Sequence, residues 1–296
     1  MKNSYLILFF VIISTLHTQT LSASESIAPD WRMRFSAVDR DSYSDTDTSE
    51  ELIFGRDIAA RLLGQYKLSD NENLQKYVNL VGTTLTQNCI RPELTFHFVV
   101  IESVEINAYS TPGGYVFVTT AIFDKMQNEA ELAGVLAHEI AHVTERHIVK
   151  ELSLKGAEKS AVSSITALLG GASKSAEIAF SQAVDKAVDI VLRDGYKKED
   201  EIQADANAVI LCAFSGYDPS GLVTFLDKIG KINSGVGKTY PVYDVRLATL
   251  QRAMSDEGIS GMKLALNTER FTKAMKIEAS VNPFDLIRNV IPGGTP

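Results

Sequence analysis

The chain has 296 residues, with 29 basic and 37 acidic side chains and a formal net charge of −8. This acidic balance argues against nucleic acid or an anionic membrane surface as the main partner, because both attract basic proteins. Its two cysteines, Cys89 and Cys212, are too few for a disulfide framework, and the sequence leaves open whether they pair or remain buried thiols.

The first 23 residues are typical of a secretory signal peptide. Lys2 supplies a positive charge, and an apolar stretch of about twelve residues follows from Tyr5 to Leu16. That stretch is shorter than the roughly twenty residues that a membrane-spanning helix needs. We therefore expect an exported, periplasmic protein with no transmembrane helix in the mature chain. The alternative is a membrane anchor formed by an uncleaved N-terminal segment.

The rest of the chain predicts one largely helical domain over residues 50–291. Residues 24–49 are polar and predict an extended leader, and residues 292–296 predict a loose tail. Apolar spacing predicts helices over residues 50–66, 71–87, 129–152, 173–192, 198–214, 220–231 and 243–255. Runs of β-branched and aromatic residues predict strands over residues 95–101 and 115–120, with a candidate short strand over residues 106–110.

The helix predicted over residues 129–152 contains the motif H-E-x-x-H. His138 and His142 are four residues apart and share a helix face, so both imidazoles can bind one metal ion. Glu139 then lies beside that ion, where it can take a proton from a water molecule. Apolar neighbours such as Val135 and Ile140 indicate a buried helix. Buried histidines need partners, which a metal supplies and a coincidental motif does not.

A catalytic zinc of this kind takes three protein ligands and keeps a fourth position open. His147 follows His142 by five residues, about 140° around the helix, so we expect it to point elsewhere. His97 is more readily explained as a packed strand residue. Glu201 and Asp205 share one helix face, so one could bind metal while the other accepts a hydrogen bond from a ligand imidazole. A solvated acidic face is the alternative.

Longer stretches of sequence surround these motifs. They comprise Asn107-Ala108, residues 112–118, residues 129–143 with His147 after them, and Glu201, Ala204 and Asp205. In these stretches the chain resembles family forty-eight of the zinc metallopeptidases, which includes the CAAX prenyl proteases and soluble bacterial periplasmic members. The resemblance extends over residues 50–252.

This resemblance implies both a fold and a site. The implied fold is α+β, a mostly helical zincin-type (minigluzincin) domain with a small β-sheet beside the active-site helix. The implied cofactor is one Zn²⁺ per chain, bound by His138, His142 and Glu201. Glu139 would be the catalytic residue. Asp205 would not bind the metal itself, but would accept a hydrogen bond from a ligand imidazole.

One departure from the family concerns the C-terminal part of the site. The family often carries His-Pro some forty residues past the third ligand, with an arginine five residues beyond the proline. Here the pair is Tyr240-Pro241, and Arg246 holds the arginine position. The resemblance therefore implies that Tyr240 or Arg246 stabilises the oxyanion. A tyrosine hydroxyl can donate that hydrogen bond, although it carries no imidazolium charge.

The strand before the catalytic helix is a candidate edge for substrate. Two adjacent glycines allow a sharp turn and a close backbone approach, and an extended peptide could then add to the strand that follows. A plain hairpin turn is the alternative. The predicted substrate-binding residues are Gly113, Gly114, Tyr115, Val116, Phe117 and Val118.

Together these features predict a zinc-dependent metalloendopeptidase that hydrolyses unfolded or misassembled envelope proteins in protein quality control. Its expected partners are unfolded polypeptides, with outer-membrane proteins or their assembly machinery as candidates. A chaperone-like binding module with latent proteolysis is the alternative, and another zinc hydrolase such as an amidase or aminopeptidase is a further one. The intact Glu139 argues against a pure binding module.

Overall fold

A computed structural model describes residues 45–153, 174–233 and 243–280 of the chain. The predicted signal peptide, most of the predicted leader, the predicted tail and Tyr240 lie outside these residues. Within them, no helix combines the length and the apolar character needed to cross a bilayer. Cys89 and Cys212 are both free thiols.

The described chain is mostly helical with one small sheet, as the sequence predicts. Its strands are β1 (His97–Ile101), β2 (Ala108–Thr111) and β3 (Tyr115–Thr119). The helices up to residue 153 are α1 (Asp45–Leu63), α2 (Glu72–Thr86), α3 (Thr120–Phe123), α4 (Glu129–Thr144) and α5 (His147–Ser153). The later ones are α6 (Lys174–Asp189), continued by a π-helical turn (Ile190–Asp194), then α7 (Lys198–Phe214), α8 (Ser220–Asn233), α9 (Tyr243–Asp256) and α10 (Thr268–Ser280).

Helix α10 has no counterpart among the predicted helices, and two of the boundaries differ clearly from the predicted ones. Helix α1 begins at Asp45, inside the stretch predicted as an extended leader. The helix predicted over residues 129–152 is interrupted after Thr144, because Arg146 adopts a left-handed conformation with φ of 58°. The chain turns at this point, which we call the α4–α5 bend, and α5 starts at His147 in a new direction.

The sheet has the strand order β1-β3-β2, with β3 parallel to β1 and antiparallel to β2. Strand β3 is therefore central, and Val116, Phe117 and Val118 have no exposed surface. The prediction that the stretch from Tyr115 to Val118 forms a free edge for substrate is wrong, because both of its edges are already paired. Strands β1 and β2 are the edges of the sheet, and because Gln75 and Ser69 already bond the outer side of β1, the free edge belongs to β2.

The two glycines before β3 allow close packing against α1 and against the segment that precedes β1. Gly113 and Gly114 have φ of 78° and 97°. A Cβ on Gly113 would lie 3.2 Å from the Cα of Leu52 in α1, and one on Gly114 would lie 2.8 Å from the carbonyl oxygen of Thr95. The turn therefore needs glycine for its conformation and for close packing.

Helix α4 lies at the centre of the molecule, and all of its residues are buried. Its first turn is capped by Asn128, whose side chain accepts a hydrogen bond from the Glu131 amide at 3.0 Å. Helix α8 packs closely on it, since a Cβ on Gly134 would lie only 2.7 Å from the Cβ of Leu222. A nearly all-round apolar helix of this kind is stable only when other elements enclose it.

A buried ion cluster holds the α4–α5 bend against the N-terminal helix. Glu51 of α1 accepts hydrogen bonds from Arg91 Nη1 at 2.8 and 3.0 Å and from Arg146 Nε at 2.6 Å. All three side chains are at least 96% buried. One carboxylate thus joins α1, the segment before β1 and the bend.

Replacing this carboxylate should destabilise the protein strongly. Glu51→Ala leaves two buried guanidinium groups without their shared carboxylate, and we expect it to lower the free energy of unfolding by about 3–5 kcal/mol. Asp70→Asn is the control, because Asp70 forms an exposed ion pair with Lys67 and exposed pairs contribute little. Urea unfolding measures both. Equal effects of the two substitutions would contradict a structural role for the cluster.

Candidate functional site

Three side chains from α4 and α7 converge on one point. One ligand atom from each of His138, His142 and Glu201 lies within 4.8 Å of the others. The Nε2 atoms of the two histidines are 3.1 Å apart, and they lie 3.4 and 3.7 Å from the carboxylate oxygens of Glu201. His97 is exposed on β1 and stacks on Tyr115. No other group of metal-ligating side chains converges in this way within the described residues.

This donor set suits a divalent cation. His138, His142 and Glu201 are buried, and Oε2 of Glu201 is buried without a hydrogen-bond partner. Two imidazole nitrogens and a carboxylate oxygen direct their lone pairs at one small space, where these lone pairs repel one another unless a cation lies between them. Two imidazoles with one carboxylate form a common ligand set for a catalytic Zn²⁺.

Asp205 supports the first histidine from behind. Its Oδ1 lies 3.0 Å from Nδ1 of His138, so it can accept a hydrogen bond from Nδ1–H of that tautomer, which leaves Nε2 bare. Arg246 donates from Nε and Nη2 to the same carboxylate, at 2.8 and 2.6 Å. Burial alone would raise the pKa of Asp205, but the adjacent guanidinium and imidazole lower it to about 2. The carboxylate is therefore ionised at neutral pH.

Arg246, which was predicted to stabilise an oxyanion, contacts carboxylates of the site and also lines the cavity beside it. Besides its two contacts with Asp205, its Nη1 lies 3.4 Å from Oε2 of Glu201. The charge of Arg246 is therefore largely balanced by two carboxylates. Its partner in the prediction, Tyr240, lies outside the described residues.

Glu139 stands next to the three convergent side chains and outside their set. Its Oε2 accepts a hydrogen bond from the Ser110 hydroxyl of β2 at 2.8 Å. Burial raises the pKa of Glu139, while the neighbouring His138 and the Ser110 hydrogen bond act in the opposite direction. Ser110 was not predicted as a site residue. The alternation of β2 could have indicated it, since Ala108 and Ser110 point to one face.

The expectation that His147 points elsewhere is wrong. It assumed a continuous helix, whereas α4 ends at Thr144 and the left-handed Arg146 redirects the chain. Nδ1 of His147 consequently lies 2.8 Å from Nδ1 of His142. Tyr196 also stacks on the His142 ring, with centroids 3.8 Å apart and planes inclined by 16°. Neither contact has a sequence signal, because both depend on tertiary packing.

A cavity of about 100 Å³ opens onto these groups. Ser110, Glu139 and Glu201 line its polar side, and Phe225 and Leu226 of α8 line an apolar wall. The residues predicted as substrate-binding, from Gly113 to Val118, are absent from the lining that the described residues provide. Strand β2 takes the place that the sequence assigned to β3.

Comparison with known proteins bears directly on this geometry. Residues 72–254 match the model of Peptidase family M48. The chain belongs to this family. The resemblance seen in the sequence is thereby confirmed, and a metallopeptidase family implies a metal cofactor.

Individual members of the family are also similar to the chain. It is 32% identical over 186 residues to the Beta-barrel assembly-enhancing protease of Escherichia coli (strain K12). The aligned segment covers 61% of this chain and 37% of that protein. It is 28% identical over 259 residues to the protein of the same name from Yersinia pestis, covering 83% and 51%. The Mitochondrial metalloendopeptidase OMA1 of Arabidopsis thaliana is 27% identical over 139 residues, covering 47% and 27%. The chain thus spans about a quarter to a half of these relatives.

Metal binding should depend on the carboxylates of α7 in a graded way. Glu201→Ala removes one of three ligand groups and should abolish stoichiometric zinc binding. Asp205→Ala keeps all three proposed ligands but removes the carboxylate that contacts His138 and Arg246, and it should weaken zinc affinity by about 10–100-fold. His97→Ala is the control and should bind normally. Metal content and competition with a chromophoric chelator measure all three. Normal zinc content in Glu201→Ala would contradict this ligand set.

Proposed function

We propose that this chain is a zinc-dependent metalloendopeptidase that cleaves extended segments of unfolded or misassembled envelope proteins. The convergence of His138, His142 and Glu201, with Glu139 beside them, is the observation that carries the proposal. Membership of a metallopeptidase family supports it. The name of the bacterial relatives supports outer-membrane β-barrel proteins, or their assembly machinery, as substrates or partners. The proposed location is the periplasm.

Each residue of the site has its own proposed role. His138, His142 and Glu201 would hold one Zn²⁺ per chain, with Asp205 fixing His138. A bound Zn²⁺ supplies Lewis acidity, which polarises a peptide carbonyl and makes a nearby water more acidic. Ionised Glu139 would take the proton of the attacking water and later give it to the leaving amine.

The environment of Glu139 suits a base that must first hold a proton and then release it. The Ser110 hydroxyl holds Oε2, so Oε1 is the atom proposed to take the proton. Burial raises the pKa of Glu139, which increases its affinity for that proton. Because Arg246 is already held by Asp205, Tyr240 is the proposed donor to the developing oxyanion. Arg246 would then act mainly by keeping Asp205 and Glu201 in place.

Strand β2 would bind the substrate backbone. The Asn107 carbonyl accepts from the Thr119 amide at 3.1 Å, so the alternation of an antiparallel ladder directs main-chain groups of Ala108 and Ser110 away from β3. The Ala108 amide already donates to Oδ1 of Asn107 at 2.9 Å, so an extended peptide could add to this edge through the Ala108 carbonyl and Ser110 and pass the catalytic residues. Main-chain pairing depends little on the side chains of the substrate, which suits a protease that cleaves unfolded segments of varied sequence.

The role of Glu139 can be tested with one isosteric variant. Glu139→Gln should retain about one zinc per chain, because Glu139 is not among the proposed ligands, while casein cleavage falls by at least about 10²-fold. Mass spectrometry of the wild-type products should find internal cleavage sites. Near-normal turnover by Glu139→Gln would overturn its role as base. Binding of casein by zinc-loaded wild type without cleavage would favour the chaperone-like alternative.

The role of the β2 edge can be tested from the substrate side. A peptide with one cleavage site is made as a series in which successive amides N-terminal to that site become esters, which removes one N–H at a time. If the peptide pairs with β2, KM should rise at alternate positions only, because alternate residues face the strand. The matched all-amide peptide is the control. Equal KM along the series would exclude strand pairing on the side of the site that is tested.

A further inference from the structure

The two histidines of the candidate metal site have chemically different partners on their outer nitrogens. Nδ1 of His138 faces an anionic carboxylate, Asp205, at 3.0 Å. Nδ1 of His142 faces another imidazole, His147, at 2.8 Å. His147 is fully buried and lies at the start of α5. Its contact with His142 exists only because the chain turns at Arg146.

A separation of 2.8 Å between two ring nitrogens requires one hydrogen between them. Two N–H groups would repel each other, and so would two lone pairs. If the hydrogen belongs to His142, then its Nε2 is bare and can bind a metal. If it belongs to His147, then neutral His142 carries its proton on Nε2, where it blocks binding. The partner on the far side of His147 decides between these two states.

That far partner is Gln203, whose own orientation is fixed by a carboxylate. Oε1 of Gln203 lies 3.2 Å from Nε2 of His147, and its Nε2 donates to Oε2 of Glu145 at 2.7 Å. Glu145 is an acceptor only, so the amide nitrogen must face it and the amide oxygen must face His147. His147 therefore carries its hydrogen on Nε2 and presents a bare Nδ1 to His142.

From this geometry we propose that His147 is a positioning residue whose Nδ1 accepts a hydrogen bond from Nδ1–H of His142, which keeps Nε2 of His142 bare for the metal. We call the chain of hydrogen bonds from His142 through His147 and Gln203 to Glu145 the relay. Gln203 and Glu145 set the direction in which its hydrogens point. The inference rests on the proposed function, because it assigns a role toward the metal site. The ring of Tyr196, stacked on His142, holds the same orientation from another side.

The choice of a neutral partner has a chemical effect as well. A carboxylate behind a ligand imidazole makes the ligand more basic and adds negative charge near the metal. Glu201 and Asp205 already bring two negative charges, against one positive charge on Arg246. His147 orients His142 without adding a further negative charge, so a bound metal keeps more of its Lewis acidity.

The first test replaces His147 and measures zinc affinity by chelator competition. His147→Phe fills similar space without an acceptor, and it should weaken zinc binding by about 10–100-fold. His147→Asn can place its Oδ1 near the former Nδ1 position, and it should restore most of the affinity. Loss in the first variant with recovery in the second supports the inference. Equal losses in both would indicate that His147 only fills space, and this would overturn it.

A second pair of variants keeps the inference testable if His147→Phe fails to fold. Gln203 is exposed, so Gln203→Leu should fold, and by removing the acceptor for His147 it should weaken zinc affinity. Asn207→Leu is the matched control, since Asn207 lies one turn further along α7 and donates to the other oxygen of Glu145 at 2.8 Å without contacting a histidine. Identical affinities in Gln203→Leu and Asn207→Leu would contradict the relay.

A third measurement separates this inference from the proposed function. In ¹⁵N NMR of histidine-labelled, metal-free protein, His142 should carry its hydrogen on Nδ1 in the wild type and shift toward Nε2 in Gln203→Leu. A wild-type Nε2–H tautomer of His142 would overturn the relay even if zinc binds. Failure of the wild type to bind zinc would overturn the proposed function, whereas unchanged zinc affinity in the His147 and Gln203 variants would overturn only the relay.

Discussion

The complete burial of α4 is the constraint on which the rest of the structure depends. A buried charge is costly unless a partner neutralises it, and this helix carries charged side chains in its first turn. Glu129 forms an ion pair with Arg270 of α10 and accepts a hydrogen bond from Tyr77 of α2, and Glu131 forms an ion pair with Lys228 of α8. The helices around α4 are therefore held by specific polar contacts in addition to apolar packing. The imidazoles at the other end of α4 pose the same problem, which a metal would solve.

Local periodicity predicts much of this molecule, and non-local pairing explains what it misses. The spacing of His138 and His142 predicts a shared helix face, because that depends only on the helical repeat. Its spacing from Asp205 made Glu201 a candidate ligand, but only the resemblance singled it out, since helix spacing cannot say which distant helix will pack on α4. The order of the strands was also missed. The unbroken apolar run Val116-Phe117-Val118 is typical of a strand covered on both faces and could have indicated the centre of the sheet.

The α4–α5 bend was unpredictable for a different reason. Neither glycine nor proline occurs between Thr144 and His147, so nothing in the local sequence indicates the end of a helix there. Arg146 adopts its left-handed conformation while its guanidinium binds Glu51, a residue far away in the chain. A tertiary ion pair thus helps to offset the cost of an unfavourable local conformation. The orientation of His147 toward His142 follows from this distant contact.

The division of the candidate ligands between α4 and α7 also affects how the protein matures. Glu201 follows His142 by roughly sixty residues, so the segment that closes the site has a substantial loop-closure entropy to overcome. Until α7 docks, the carboxylate ligand and the support of Asp205 are both missing from the histidines. Completion of the candidate metal site therefore requires the docking of α7 on α4, so a partly folded chain lacks the full set of candidate ligands.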